Sequence, residues 1–190
     1  MTTPPEVVNI FAIDPSINQV GWAKVEGLRR DEDGVWNDEL ATWTYGYWDI
    51  GSHALPYKLE EIVDWCKLDV HCDRDWWFVG EWPTYFGTIK GQISAMQGNT
   101  INLGAVIAYI AGYFQILPQN VHLLTATQWK GSVPKEITKM RFFKVLGVKQ
   151  GQIKTINHNA IDAIMLLHEF CRRRRISFRM IRVCDPAEDA

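Results

Sequence analysis

Three carboxylates stand where a fold can bring them together, and they constrain this chain more than anything else in it. Asp14 closes the apolar run at 7–13, Glu81 closes the run at 76–80, and Asp162 lies one turn into the apolar helical pattern at 158–167. Two buried strands that each finish in an acid, plus a helix carrying a third, describe an acidic pocket at the edge of a sheet. Such a pocket repels itself unless a divalent cation fills it, and oxygen-only ligands favour Mg²⁺ or Mn²⁺. That combination points to two-metal phosphodiester chemistry.

The pattern around the acids gives the fold class. Residues 7–13 read as a buried central strand ended by the turn Asp14-Pro15-Ser16. Residues 20–25 and 43–50 alternate like strands, so the three form an antiparallel meander, with the charged stretch 27–40 as a surface loop. Residues 57–68 have helical spacing, with Leu59, Ile62, Val63 and Cys66 on one face. A fourth strand at 76–81 and a fifth at 121–125 flank a long helix over about 92–117. Helices follow at 135–146 and 159–175, and a terminal strand at 176–183. The expectation is an α/β fold with a mixed five-stranded sheet flanked by helices.

Composition narrows the class. The 190 residues, 47% of them hydrophobic, suit one domain spanning 1–190. The first six residues lack the basic and apolar regions of a signal peptide, and the apolar stretch 103–117 is too short and too rich in Gly and Ala for a membrane span. A cytoplasmic protein without a membrane partner is expected. Cys66, Cys72, Cys171 and Cys184 show no paired spacing of the zinc type and read as reduced thiols. The net charge of −2 hides an asymmetry: residues 1–127 hold 7 basic against 16 acidic side chains, and 128–182 hold 13 against 3. A cationic third of this kind suits a polyphosphate partner.

These residues resemble the RuvC-type Holliday junction resolvases of the RNase H-like nuclease superfamily. The run 13–23, Ile-Asp-Pro-Ser-Ile-Asn-Gln-Val-Gly-Trp-Ala, is similar to that family's strand-end Asp-Pro motif followed by a Gly-aromatic strand. Glu81 matches its acid at the end of the fourth strand. The segment 128–133 with Lys135 resembles its basic segment, and Asn159-Ala160-Ile161-Asp162-Ala163 resembles its helix motif. The departures from the family pattern suit a phage member. The resemblance implies an RNase H-like fold, a homodimer, and Mg²⁺-dependent paired, symmetric nicking of four-way DNA junctions, with Mn²⁺ able to substitute and no small-molecule cofactor. Two ions per site would be held by Asp14, Glu81 and Asp162, with Lys130 and Lys135 beside the scissile phosphate. Lys139 and Lys90 join them as DNA contacts.

Two departures matter. Asn159 occupies a place where the family has an Asp or His, so either Asn159 or the neighbouring His158 completes the site; the spacing allows both. Position 84 is Thr, which leaves Trp82, Tyr85 or Phe86 to stack on junction bases. Each acid also has a plain reading, Asp14 as a turn residue and Glu81 as the start of a loop. Asp162 is the least ordinary, because a lone buried carboxylate is costly. Three other activities fit parts of the pattern: a nuclease for other branched DNA or RNA–DNA hybrids, a non-catalytic junction binder, and an actin-like phosphotransferase. The last needs a duplicated domain for which 190 residues leave no room.

Overall fold

A computed structural model describes residues 6–30, 33–37, 41–51, 54–69, 76–84, 92–93, 96–131, 133–147 and 156–176. Strands β1 (Glu6–Pro15), β2 (Gln19–Arg30), β3 (Trp36–Asn37), β4 (Thr42–Asp49), β5 (Trp76–Trp82) and β6 (Val121–Thr125) form one sheet. The helices are α1 (Leu55–Asp69), α2 (Asn99–Tyr113), α3 (Ala126–Trp129), α4 (Lys135–Leu146) and α5 (His158–Arg173). β1 is central. It pairs antiparallel with β2 and parallel with β5, β5 pairs parallel with β6, and β4 lies antiparallel along β2. Five long strands, three antiparallel and then parallel, are therefore the expected mixed sheet, to which the structure adds the two-residue β3.

Alternation along β1 assigns the two faces. Val8, Ile10 and Ala12 pack with α5 residues, while Phe11 and Ile13 pack against Ile62 of α1 and Val106, Ile107 and Ile110 of α2. On β5, Val79 joins the α5 side and Trp76 and Phe78 the other. Because side chains alternate with period two, Asp14 and Glu81 share the α5 side.

Two expectations need correction. The stretch 27–40 is not simply a surface loop: β2 continues to Arg30 and β3 returns beside it. The strand survives because a bulge absorbs an extra residue of β2 opposite Asn9, with Gly27 at φ 78° and its N–H donating to Asn9 Oδ1 at 2.9 Å. The helix expected over 92–117 is interrupted: Gln92, Ile93 and Met96 are helical, Gln97 and Gly98 form a turn with Gly98 at φ 75°, and α2 then runs from Asn99 to Tyr113. At its other end Gln115 turns at φ 50° and Pro118 opens a short 3₁₀ helix. The four-residue α3 was not anticipated; Thr125 and Gln128 start it with reciprocal side-chain caps. The expected strand at 176–183 lies, beyond Ile176, outside the described residues. Among the described residues no helix is long and apolar enough to cross a membrane.

Candidate active site

Register brings the first two acids together. The last parallel pair of β1 and β5 is Ile13 with Gly80, so Asp14 and Glu81 follow side by side at the strand ends. Helix α5 delivers the third. Its N-cap Asn157 accepts from the Asn159 N–H at 2.8 Å, and Asp162 follows one turn later, buried against the sheet. Gly21 of β2 makes this approach possible: a Cβ there would sit 2.0 Å from the Asn159 carbonyl oxygen.

Lys130, just past α3, closes the cluster. Its Nζ lies 3.1 Å from Asp162 Oδ2 and 3.4 Å from Glu81 Oε2. The Trp129 indole N–H donates to the same Glu81 oxygen at 2.6 Å, and Lys130 Nζ stands 4.5 Å from the Trp129 ring centre. Electrostatics follow from this crowding. Burial, then the charges of Glu81 and Asp162, push the Asp14 carboxyl well above its usual range. Burial also raises Glu81, against the pull of Lys130 and the Trp129 hydrogen bond. Burial alone would lower Lys130, yet the three carboxylates carry it above its ordinary value.

The two candidates for the fourth place separate. Asn159 is buried, and its Nδ2 donates to Ser16 Oγ at 3.2 Å and Gln19 Oε1 at 3.3 Å, tying α5 to the turn after Asp14. Asn157 donates to the same Gln19 oxygen at 3.0 Å. His158 is exposed; burial of its ring and the nearby Lys135 hold it below the usual imidazole range. With Lys135, Lys139 and Asp162 it lines an open cleft of about 410 Å³ between α4 and α5. Trp82 is exposed at the same edge but on the opposite face from Glu81, with its ring over Gly104 of α2. Tyr85, Phe86 and Lys90 lie outside the described residues. The sequence reading overlooked Trp129, Ser16, Gln19 and Asn157. Trp129 carried a usable signal, since a buried indole N–H needs an acceptor.

In kind, the donors suit a hard divalent cation: oxygen ligands only, with three carboxylates against one nearby ammonium group and a raised Asp14 that added positive charge would relieve. As the side chains stand around Lys130, no three His, Cys, Asp or Glu groups among the described residues converge closely enough to hold one.

Sheet order, crossing helix and strand-end acids together define an RuvC-like, RNase H-like fold. No protein-family model matches the sequence, and no curated protein matches it. Among solved structures, RuvC of Thermus thermophilus in complex with Holliday junction substrate is similar with TM-score 0.57 and 15% identity, over 87% of this chain and 96% of that one. A second Thermus thermophilus RuvC structure gives TM-score 0.53 and 16% identity, over 88% and 96%.

Proposed function

We propose that the chain is a Mg²⁺-dependent endonuclease that resolves four-way DNA junctions by paired, symmetric nicks. The observation that carries this reading is the convergence of Glu81 and Asp162 on one ammonium group, with Asp14 buried in the same electrostatic field. The fold's likeness to a structure solved with Holliday junction substrate supports the choice of DNA. Asp14, Glu81 and Asp162 are the residues that would hold divalent ions, which when bound supply Lewis acidity toward the phosphodiester and its attacking water. Trp129 orients Glu81 by its hydrogen bond, and Asn159 fixes the first turn of α5 against the Asp14 turn. Lys130 offers a positive charge where the transition state gains negative charge. Lys135 and Lys139, which line the adjoining cleft together with Glu136, offer ammonium groups to the phosphate backbone.

Junction symmetry requires two sites, so the working form in this reading is a homodimer. Helix α2 is uncharged along its length and turns Ile101 and Tyr109 outward, which makes it the candidate interface. The decisive experiment offers labelled four-way junction, linear duplex and RNA–DNA hybrid with Mg²⁺, then with Ca²⁺. Paired nicks in the junction with Mg²⁺ and none with Ca²⁺ are expected. Preferential cutting of the hybrid would move the substrate to another branch of the superfamily, and tight junction binding without cleavage would make the chain a binder only.

A further inference from the structure

On the far side of the Asp14 turn from the acid cluster, a second cleft of about 380 Å³ opens between the starts of α1 and α2. Its walls are apolar at Ile50, Leu55, Leu103 and Val106, and polar at Ser16, Asn18, Asn99, Asn102 and Lys58. Among the described residues no acidic side chain lines it. Lys58 is 8% exposed, donates to the Ile17 carbonyl and approaches the Asn18 side chain at 3.4 Å. Among the described residues it has no carboxylate partner. A buried ammonium group without a counter-charge is costly, and an anion in the cleft would remove that cost.

Two further features aim the same way. Helix α2 begins at this cleft with Gly98 as N-cap and no side-chain cap on its first turn, so the positive end of the helix dipole faces the opening. Helix α2 also carries no charged residue that would neutralise it. Position matters as well. Ser16 lines the cleft, and its Oγ donates to the Gln19 carbonyl at 2.7 Å and accepts from Asn159 at 3.2 Å, so cleft and acid cluster share one turn. Ser16 is two residues from Asp14, within about 7.6 Å along the chain.

We propose that this cleft is a phosphate subsite: it receives a phosphate-bearing nucleotide unit of the nucleic-acid strand that crosses the acid cluster, with the apolar walls against sugar and base. The assignment to a strand rests on the nuclease reading, while the preference for phosphate rests on the cleft itself. The test is binding without divalent metal, so that cleavage plays no part. Junction affinity is measured against salt for the full chain and for Lys58→Met, Asn102→Asp and Asn102→Lys. Inorganic phosphate and thymidine 5′-monophosphate are titrated into the same proteins by calorimetry. Lys58→Met should lower the slope of log K against log salt by about 0.7 to 0.9, the share of one phosphate.

Asn102 is exposed, so its variants leave the fold intact even where loss of Lys58 does not. Asn102→Asp should weaken junction binding at least fivefold at low salt, Asn102→Lys should tighten it, and the monophosphate should compete with the junction. Unchanged affinity and slope in all three variants overturn the proposal. Tight monophosphate binding, with junction affinity indifferent to position 102, overturns the assignment to a strand in favour of a free nucleotide. Absence of cleavage with Mg²⁺ removes the nuclease reading and leaves the charge dependence at position 102 standing, so the two failures are distinguishable.

Discussion

The two sides of the Asp14 turn each draw a lysine largely out of solvent, and they treat its charge in opposite ways. On the α5 side Lys130 lies between Asp162 and Glu81, in a cluster with two more carboxylates than its single charge can balance. On the α1–α2 side Lys58 has a backbone carbonyl and an amide for company, and no acid among the described residues of its cleft. One side holds excess negative charge, the other uncompensated positive charge. Neither arrangement serves stability, since burying charge without full compensation costs free energy. Together they suit a phosphodiester strand, which brings anions to the second side and, with divalent ions, balances the first.

The largest expected effects test the acidic side. Asp14→Asn, Glu81→Gln and Asp162→Asn should each reduce cleavage by about a thousandfold or more while leaving junction binding near wild type. Near-normal cutting by any of the three removes that residue from the site. The charge excess also predicts a stability change in metal-free protein. Asp14 is held above its unfolded value, so the folded state keeps a proton that the unfolded state releases. Wild-type stability therefore falls as pH rises from the ordinary carboxylate range up to the raised folded value. Asp14→Asn should melt at a higher temperature than wild type at neutral pH, with the advantage vanishing near pH 4. Equal melting temperatures across that range would show that Asp14 is not under strain.

A smaller effect contrasts how the two faces pack. Gly21→Ala drives a methyl group into the α5 backbone 2.0 Å away, where no side chain can yield. A loss of about 3 kcal/mol or more is expected, read by chemical denaturation, together with cleavage impaired through displacement of Asp162. Gly112→Ala on α2 meets nothing within 4 Å and should gain up to about 1 kcal/mol from helix propensity. Equal effects at the two positions would mean that α5 does not press on β2 as described.

These contrasts show which parts of the molecule the sequence could disclose. Strand-length apolar runs with an acid at the end are local signals, so β1, β5 and the pairing of Asp14 with Glu81 were legible. Asp162 was legible because an acid inside an apolar helical pattern is conspicuous. The Gly27 bulge was not, since it depends on Asn9 reaching across 18 residues to accept a hydrogen bond. The break at Gly98 was hidden because one glycine inside an apolar stretch does not by itself show positive φ. Whether Asn159 or His158 faces inward depends on Ser16 and Gln19, more than 130 residues away. Lys58 has no local signal that sets it apart from a solvated lysine on a helix.

Next in size is the indole that holds Glu81. Trp129→Phe keeps a buried aromatic ring and removes the N–H at 2.6 Å together with the pyrrole part of the indole. A hydrogen bond to a charged group contributes about 1.5 to 3 kcal/mol, so cleavage at fixed Mg²⁺ should fall by roughly 10- to 100-fold. Because Trp129 acts through Glu81, Ca²⁺ affinity should weaken too, and excess Mg²⁺ should recover part of the rate. A fall in rate with unchanged Ca²⁺ affinity would assign Trp129 to the DNA rather than to Glu81.

The smallest effect lies at the other end of the helix that carries Asp162. Glu169 has two arginine partners, Arg172 at 2.7 Å and Arg173 at 2.8 Å, and those side chains are 65% and 40% exposed. The hydrogen bond from Arg172 chiefly holds the Glu169 carboxyl down at about 2. A depressed folded value stabilises the protein above the unfolded carboxylate range, and that contribution is lost as pH falls through about 2. Solvent screening limits it to less than about 1 kcal/mol, however low the carboxyl titrates. Glu169→Gln should therefore lower the melting temperature by only a few degrees at neutral pH, and by nothing below pH 2. Added salt should shrink the difference, as screening does for exposed pairs. The pH dependence should run opposite to that of Asp14→Asn, because Glu169 is an acid compensated by partners near the surface and Asp14 is an acid left uncompensated in the core. Parallel pH profiles for the two variants would erase that distinction.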